Sequence, residues 1–135
     1  MKNNSLVKDY LMRAQSRYKA LDVYVGDENW ADVVRESQEA CELILKAVLR
    51  YSNIDPPRTH DVSIVLEENE KLLPKEIQKN LKEVCKISKT LRRDRELAFY
   101  GSDDLTPSEF YQKDDAMEAR AWVKYLIDLT AGLKE

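Results

Sequence analysis

Segment 91–101 combines the residue types that are best suited to hold a phosphate group. It reads LRRDRELAFYG, so that Arg92, Arg93 and Arg95 precede Tyr100 in one short stretch. Guanidinium groups bind phosphate oxygens bidentately. A nearby aromatic ring offers a stacking face, and its hydroxyl can form a hydrogen bond. The segment is therefore a candidate site for a ligand that carries a phosphate.

The helical register of this segment decides which arginine faces the core. Counted from Ile77 at about 100° per residue, Arg95 returns to about 0°, Arg92 lies near 60° and Arg93 near 160°. We therefore expect Arg95 to point inward, provided that the helix stays regular, and Arg92 to lie at the edge of the same face. A buried guanidinium needs a partner.

A purely structural role also fits an inward arginine. Asp115 falls on the predicted inner face of the last helix, and pairing with it would satisfy Arg95 without a ligand. The one histidine, His60, follows a turn at a predicted helix start, where a structural hydrogen bond is commoner than general-base catalysis. With no Cys-x-x-Cys and no glycine-rich phosphate loop, the sequence predicts neither a metal site nor a cofactor.

Apolar residues recur at helical spacing along nearly the whole chain, which has only 3 glycines and 4 prolines among 135 residues. This pattern predicts an all-α fold, an up-and-down bundle of about five helices in a single domain, 1–135. The helices are expected at 5–25, 28–51, 60–69, 74–100 and, with an irregularity near 113, from 107 to the C-terminal end. Expected N-caps are Asp27 or Asn29, Thr59, and Thr106 in a capping box with Glu109.

On the second predicted helix, Glu36, Glu39 and Glu42 are expected to project away from the apolar face. Cys41 and Cys85 fall on apolar faces and are expected to be buried free thiols. A net charge of −3 argues against coating nucleic acid by bulk electrostatics but allows a local site. No apolar run approaches the ~20 residues of a membrane span, and the polar N-terminus is unlike a signal peptide. We therefore expect a cytoplasmic protein without membrane association.

The chain resembles the HEPN (higher eukaryotes and prokaryotes nucleotide-binding) domain family in its small, stand-alone prokaryotic form. The resemblance rests on the run 37–49, on THDV at 59–62, on RELAFYG at 95–101 and on Tyr111 with DDA at 114–116, in this order and spacing. It implies a helical bundle that forms homodimers, in which the motif arginines of two chains face a shared cleft. Many relatives are metal-independent endoribonucleases, often toxins, that carry an arginine, four to six further residues and then a histidine. Some relatives pair with a small nucleotidyltransferase antitoxin that modifies a tyrosine just beyond that histidine.

The sequence departs from this motif at the histidine. Counted from Arg95, Tyr100 occupies the histidine position; counted from Arg93, Ala98 occupies it and Tyr100 matches the modified tyrosine. The predicted register favours the count from Arg95. Tyrosine, with an ordinary pKa near 10, is a poor general base at neutral pH.

The resemblance and this departure together imply a catalytically degenerate protein that binds a nucleotide or RNA phosphate through Arg92, Arg95 and Tyr100. A nucleotidyltransferase in a toxin–antitoxin-like system is the implied protein partner. One alternative is an active, metal-independent endoribonuclease in which Arg95 and Tyr100 are catalytic. The other is a structural protein-interaction module in which Arg95 and Asp115 form a buried pair.

Overall fold

Most of the described part of the chain is helical. The computed structural model describes residues 4–58, 61–100 and 106–133, and of residue 4 and residues 94–100 it describes the backbone alone. The helices in these ranges are α1 (Asn4–Gly26), α2 (Trp30–Tyr51), α3 (Val62–Glu68), α4 (Lys75–Lys79), α5 (Leu81–Tyr100), α6 (Pro107–Phe110) and α7 (Lys113–Leu129). A 3₁₀ turn, Glu70–Leu72, lies between α3 and α4. The all-α prediction is confirmed, whereas the count of about five helices is too low for the described ranges.

The count differs because two of the predicted helices are each split in two. Asn80 ends α4: its side-chain amide donates to the Glu76 carbonyl at 2.8 Å, and its backbone N–H donates to the Ile77 carbonyl at 3.1 Å. Asparagine favours helix ends because its side chain competes for backbone hydrogen bonds. The second break falls at Tyr111, whose backbone is extended between α6 and α7. Apolar spacing continues through both breaks, so periodicity alone does not reveal the first and shows the second only as an irregularity.

The helix starts follow capping rules. Asn29 caps α2, accepting a hydrogen bond from the Asp32 N–H at 3.3 Å. Thr106 and Glu109 form the predicted capping box at the start of α6. The N-cap of α3 is Asp61, whose carboxylate accepts from the Ser63 N–H at 2.9 Å, so α3 begins at Val62 rather than at residue 60. The prediction of Thr59 as this cap is therefore wrong, and Thr59 and His60 themselves lie outside the described residues.

Helix α2 is the centre of the fold. It forms an antiparallel hairpin with α1 and also packs against α5 and α7. Because neighbours surround it, 13 of its 22 residues are buried, including Glu36, Ser37 and Gln38. The expectation that the glutamates point away is wrong for Glu36, which is only 8% exposed. The apolar spacing of the sequence predicts one buried face of α2. Contacts with α1, α5 and α7 bury residues beyond that face as well.

The core lies mainly between α2, α5 and α7. Cys41 on α2 and Cys85 on α5 are buried free thiols, which confirms that prediction. In the described part of the chain, every helix is too short or too polar to cross a bilayer.

Candidate functional site

Arg92 borders a narrow cleft between α2, α3 and α5. The cleft is lined by Gln38, Cys41 and Glu42 of α2, Val62 of α3, and Ser88, Leu91 and Arg92 of α5. Leu91 is buried and Arg92 is exposed, so that Arg92 lies at the edge of the inner face. The accessible volume of the cleft is about 10 Å³, which is close to the smallest space that holds one water molecule.

The other residues of the predicted site lie farther along α5. Arg93 is exposed and does not line the cleft. Because α4 and α5 are separate helices, the register must be counted within α5, which continues without a break to Tyr100. From Leu81 at about 100° per residue, the buried Leu91 falls near −80° and position 95 near −40°. The side chains of Arg95 and Tyr100 lie outside the described residues, so their roles remain predictions.

A polar row runs along α2, and its members Gln38 and Glu42 line the cleft. The Gln38 amide Nε2 donates to Glu42 Oε1 at 3.0 Å, and Lys46 Nζ lies 3.2 Å from Glu42 Oε2. Residues four apart share one face of a helix, which explains this alignment. Gln38 is only 4% exposed, and its Oε1 atom is buried without a hydrogen-bond partner. Leaving such an acceptor unpaired costs about 1–3 kcal/mol, so buried polar atoms normally have partners.

The cleft combines acceptors on α2 with donors on α5. Arg92 supplies a cation and Ser88 a hydroxyl, and Gln38 and Glu42 of α2 line the same cleft. Cys41 also lines the cleft, but burial raises the pKa of its thiol far above the ordinary value. The Cys41 thiol therefore stays protonated and does not act as a nucleophile at neutral pH. The arrangement suits a ligand with an anionic group and a hydrogen-bond donor.

Helix α3 is tied to α5 on the far side of the cleft. Lys89 Nζ lies 3.6 Å from Glu67 Oε2, and Cys85 Sγ donates to the Ser63 carbonyl at 3.7 Å. Burial, followed by the nearby Glu67 carboxylate, raises the pKa of Cys85 to about 11. The Cys85 thiol therefore keeps the proton that it donates.

The flank of α2 that faces α1 carries a closed charge cluster. Both oxygens of the buried Glu36 carboxylate are bound: Arg17 of α1 donates to Oε1, and Arg35 donates to Oε2 at 3.1 Å. Arg120 of α7 joins the same side of the molecule, donating to Asp22 of α1 at 2.9 Å. The Arg17 contact links α1 to α2, and the Arg120 contact links α1 to α7.

Asp115 belongs to the N-terminal cap of α7. It is exposed, and its carboxylate accepts a hydrogen bond from the Gln112 N–H at 2.9 Å. The expectation that Asp115 lies on the inner face is wrong: in the first turn of α7 its carboxylate binds the backbone at the start of the helix and stays exposed. Asp115 is thus the third residue of the helix, where a carboxylate binds a free backbone N–H. A buried Arg95–Asp115 pair, as the structural alternative requires, does not fit this position.

Within residues 4–58, 61–100 and 106–133, no group of three His, Cys, Asp or Glu side chains is arranged to hold a metal ion. Sequence reasoning missed Gln38 and Glu42 as residues of the cleft. The available signal was their four-residue spacing within the run 37–49, on the side of α2 next to the apolar stripe.

The HEPN domain family model matches residues 7–133 and so covers nearly the whole chain. No curated protein and no solved structure matches the sequence.

Proposed function

The chain belongs to the HEPN domain family, and we propose on that premise that it binds a nucleotide or an RNA phosphate in a cleft shared by two copies of the chain. Family membership supports a function related to nucleotides or RNA. In this proposal the chain acts as one domain, Arg92 and Arg95 contact phosphate oxygens, and Tyr100 stacks on a base or forms a hydrogen bond.

The observation that carries the proposal is the position of Arg92 beside a cleft with polar lining residues. Exposed cations continue from it along the same side of α5, at Lys82, Lys86, Lys89 and Arg93. Counted from Leu81, Arg92 falls near 20° and these four positions fall between about 80° and 140° around the helix. A one-sided row of cations attracts phosphate even when the net charge of the chain is negative.

Binding without efficient cleavage follows from the sequence of the motif. Tyr100 stands where a general base would be expected, and an unperturbed tyrosine holds its proton at neutral pH. A small nucleotidyltransferase is the protein partner that we propose, in a toxin–antitoxin-like system.

Nucleic-acid binding by arginine variants tests the proposal. A fluorescein-labelled, single-stranded RNA oligonucleotide is titrated with wild type and with Arg95→Ala, and binding is followed by fluorescence anisotropy. We expect Arg95→Ala to weaken binding by about tenfold or more, because it removes a charge-assisted contact. Arg13→Ala on α1 removes the same charge from an exposed site and should bind like wild type. Undiminished binding by Arg95→Ala would overturn the proposal.

Cleavage assays address the catalytic alternative. The same RNA is incubated with wild type and with Tyr100→Phe in the presence of EDTA. The proposal predicts equal, background cleavage for both proteins. Cleavage by wild type that disappears in Tyr100→Phe would instead establish a metal-independent endoribonuclease.

A further inference from the structure

A larger cavity than the cleft lies between α1 and α7, and the two share no lining residue. Helices α1 and α7 both pack on α2, but they contact each other far less than either contacts α2. This arrangement leaves a space of about 380 Å³, which we call the α1–α7 groove. Its lining residues are Lys8, Leu11, Met12 and Gln15 of α1, Ile44 of α2, Ile127 of α7, and Thr130 and Ala131 directly after α7.

The α1–α7 groove offers apolar surface to solvent. Residues three or four apart share one face of a helix, which explains why 8, 11, 12 and 15 line one wall and 127, 130 and 131 the other. Ile44 between them is fully buried, whereas Met12 at the rim is 60% exposed. Leu11 and Ile127 are half-buried, one on each wall. Covering these side chains with an apolar group is favourable, and predominantly apolar walls are typical of ligand pockets.

The charge of the groove is opposite to that of the chain. Acidic residues outnumber Lys and Arg in the chain by 25 to 22, yet no residue that lines the groove is acidic. The acids next to it in sequence are already paired, Asp9 with Arg13 at 3.5 Å and Asp128 with Lys124 at 2.7 Å. Within the described part of the chain, Lys8 has no such partner. An unpaired ammonium group beside apolar walls suits a ligand with an anionic head and an apolar tail.

The size of the groove favours a small molecule over a protein. Its volume of about 380 Å³ lies within the range of about 300–1,000 Å³ for small-molecule pockets. A stable protein interface takes roughly 20–30 residues a side, and only eight residues line this groove. Lys8 and Gln15 are two helical turns apart, or about 10 Å along α1. Octanoate in its extended form has about this length.

We propose that the α1–α7 groove binds a small anionic amphiphile of the medium-chain carboxylate class. Lys8 binds the carboxylate, and the alkyl chain lies over Ile44 between Leu11 and Ile127. This ligand site is additional to the proposed phosphate site and independent of it, because the groove contains no residue of that site.

Four probes test this inference by NMR: octanoate, hexanoate, octanol and octylammonium. Each is titrated into the ¹⁵N-labelled full-length protein, and amide shifts are followed. Octanoate should shift the amides of 8–15 and 127–131 in a saturable way. Hexanoate should bind about 5- to 15-fold more weakly, because each of its missing methylenes contributes up to about fourfold. Octylammonium should bind more weakly than octanoate, since Lys8 repels its head group.

Two variants separate the charge from the apolar walls. Lys8→Gln removes the charge and should weaken octanoate binding by about 3- to 5-fold, the range for an exposed ion pair. Octanol binding should not change. Lys19→Gln is the matched control, because Lys19 is exposed on the same helix but does not line the groove. Ala131→Leu, at an exposed position, narrows the groove and should weaken binding of octanoate and octanol alike.

Several outcomes would overturn this inference. They are the absence of saturable shifts with octanoate, equal binding of octanoate and octylammonium, and shifts confined to other parts of the protein. Groove amides that shift with protein concentration in the absence of any probe would show that a second copy covers the groove, which also contradicts it. RNA binding should be the same in Lys8→Gln and wild type. Failure of the proposed function therefore leaves this inference standing, and the reverse also holds.

Discussion

Glu36 and Gln38 are buried polar side chains on opposite sides of α2, and the hydrogen bonding of their oxygens differs. Glu36 and Gln38 are 8% and 4% exposed, respectively, and they point about 200° apart around the helix because they are two residues apart. Arg17 and Arg35 bind both oxygens of Glu36, whereas Gln38 retains an oxygen without a partner. An unpaired buried atom is not peculiar to the Gln38 side, because Arg120 Nε on the α1 side is also buried without a hydrogen-bond partner.

The charged side chains around Glu36 and those on the α5 side of α2 also differ. On the α1 side, Arg120 of α7 donates to Asp22, and its guanidinium lies 4.8 Å from the centre of the Tyr18 ring. Acids and bases are therefore matched where α1, α2 and α7 meet. On the α5 side, the exposed cations Lys86, Arg92 and Arg93 outnumber the exposed acids among the described side chains of the helix. The side of α2 around Glu36, the closed flank, links helices, whereas the side around Gln38 and α5, the open flank, carries exposed cations.

The largest loss of stability is expected from removing an ion-pair partner of Glu36 on the closed flank. Arg17→Met leaves one oxygen of a buried carboxylate without its partner, and a buried charge that loses its pair is costly. Arg17 retains a side-chain exposure of 35%, so water partly compensates, and we expect a loss of about 2 kcal/mol in the free energy of unfolding. Urea denaturation, followed by circular dichroism at 222 nm, measures this loss.

Arg13→Met is the control for this substitution. Arg13 lies one turn earlier on α1, and its guanidinium is 3.5 Å from Asp9 with nearly half of both side chains exposed. Such surface pairs contribute less than about 1 kcal/mol. If Arg17→Met and Arg13→Met cost the same, the Glu36 cluster is no more important to stability than an ordinary surface pair.

A smaller effect is expected from Arg92→Ala on the open flank. It should weaken RNA binding by about 5- to 10-fold and reduce by about 1 the slope of log Kd against log salt concentration. Stability should change little, because Arg92 is exposed. Titrations at several salt concentrations give the slope. An unchanged slope together with an unchanged affinity would remove Arg92 from the phosphate site.

The third prediction compares the two flanks directly through stability. Gln38→Met should lower the free energy of unfolding by about 1 kcal/mol, the usual net contribution of the one hydrogen bond that the substitution removes. Glu42 keeps its ion pair with Lys46 in this variant. A loss as large as that of Arg17→Met would show that Gln38 has a structural role, which contradicts the contrast between the flanks.

The sequence predicts the all-α architecture well because apolar spacing reports on burial of whole helices. It also identifies the Thr106 cap and gives Asn29 as one of two candidates for the α2 cap, since caps depend on local side-chain chemistry. Sequence patterns do not predict which polar residues become buried when several helices pack around one another. Glu36 and Gln38 resemble residues of a solvated face in the sequence, and only the helices on both sides of α2 make them buried.

The sequence predicts the position of one candidate site residue correctly and that of another wrongly. The register places Arg92 at the edge of the inner face, and the cleft borders that edge. Asp115 was misplaced because it stands in the first turn of α7, where its carboxylate caps the helix, a role that apolar spacing does not reveal. The break at Asn80 has little effect, since the register counted within α5 again places position 95 on the inner side.

The smallest effect is expected at α6, which packs against both α2 and α5 and so borders the open flank. Hydrogen bonds from the Thr106 backbone N–H and hydroxyl lower the pKa of Glu109 below its ordinary value. A carboxyl whose pKa is lowered by folding stabilises the fold above its unfolded pKa, and this contribution is lost as the pH falls through the folded pKa. We therefore expect the capping box to open only at a pH below the ordinary pKa range of a glutamic acid.

NMR titration of the Glu109 side-chain carbonyl measures this pKa. In Thr106→Ala, which lacks the hydroxyl but keeps the backbone N–H, the pKa should move part of the way back. An identical titration in both proteins would show that the Thr106 hydroxyl does not hold Glu109, and α6 would then depend on its packing against α2 and α5 alone.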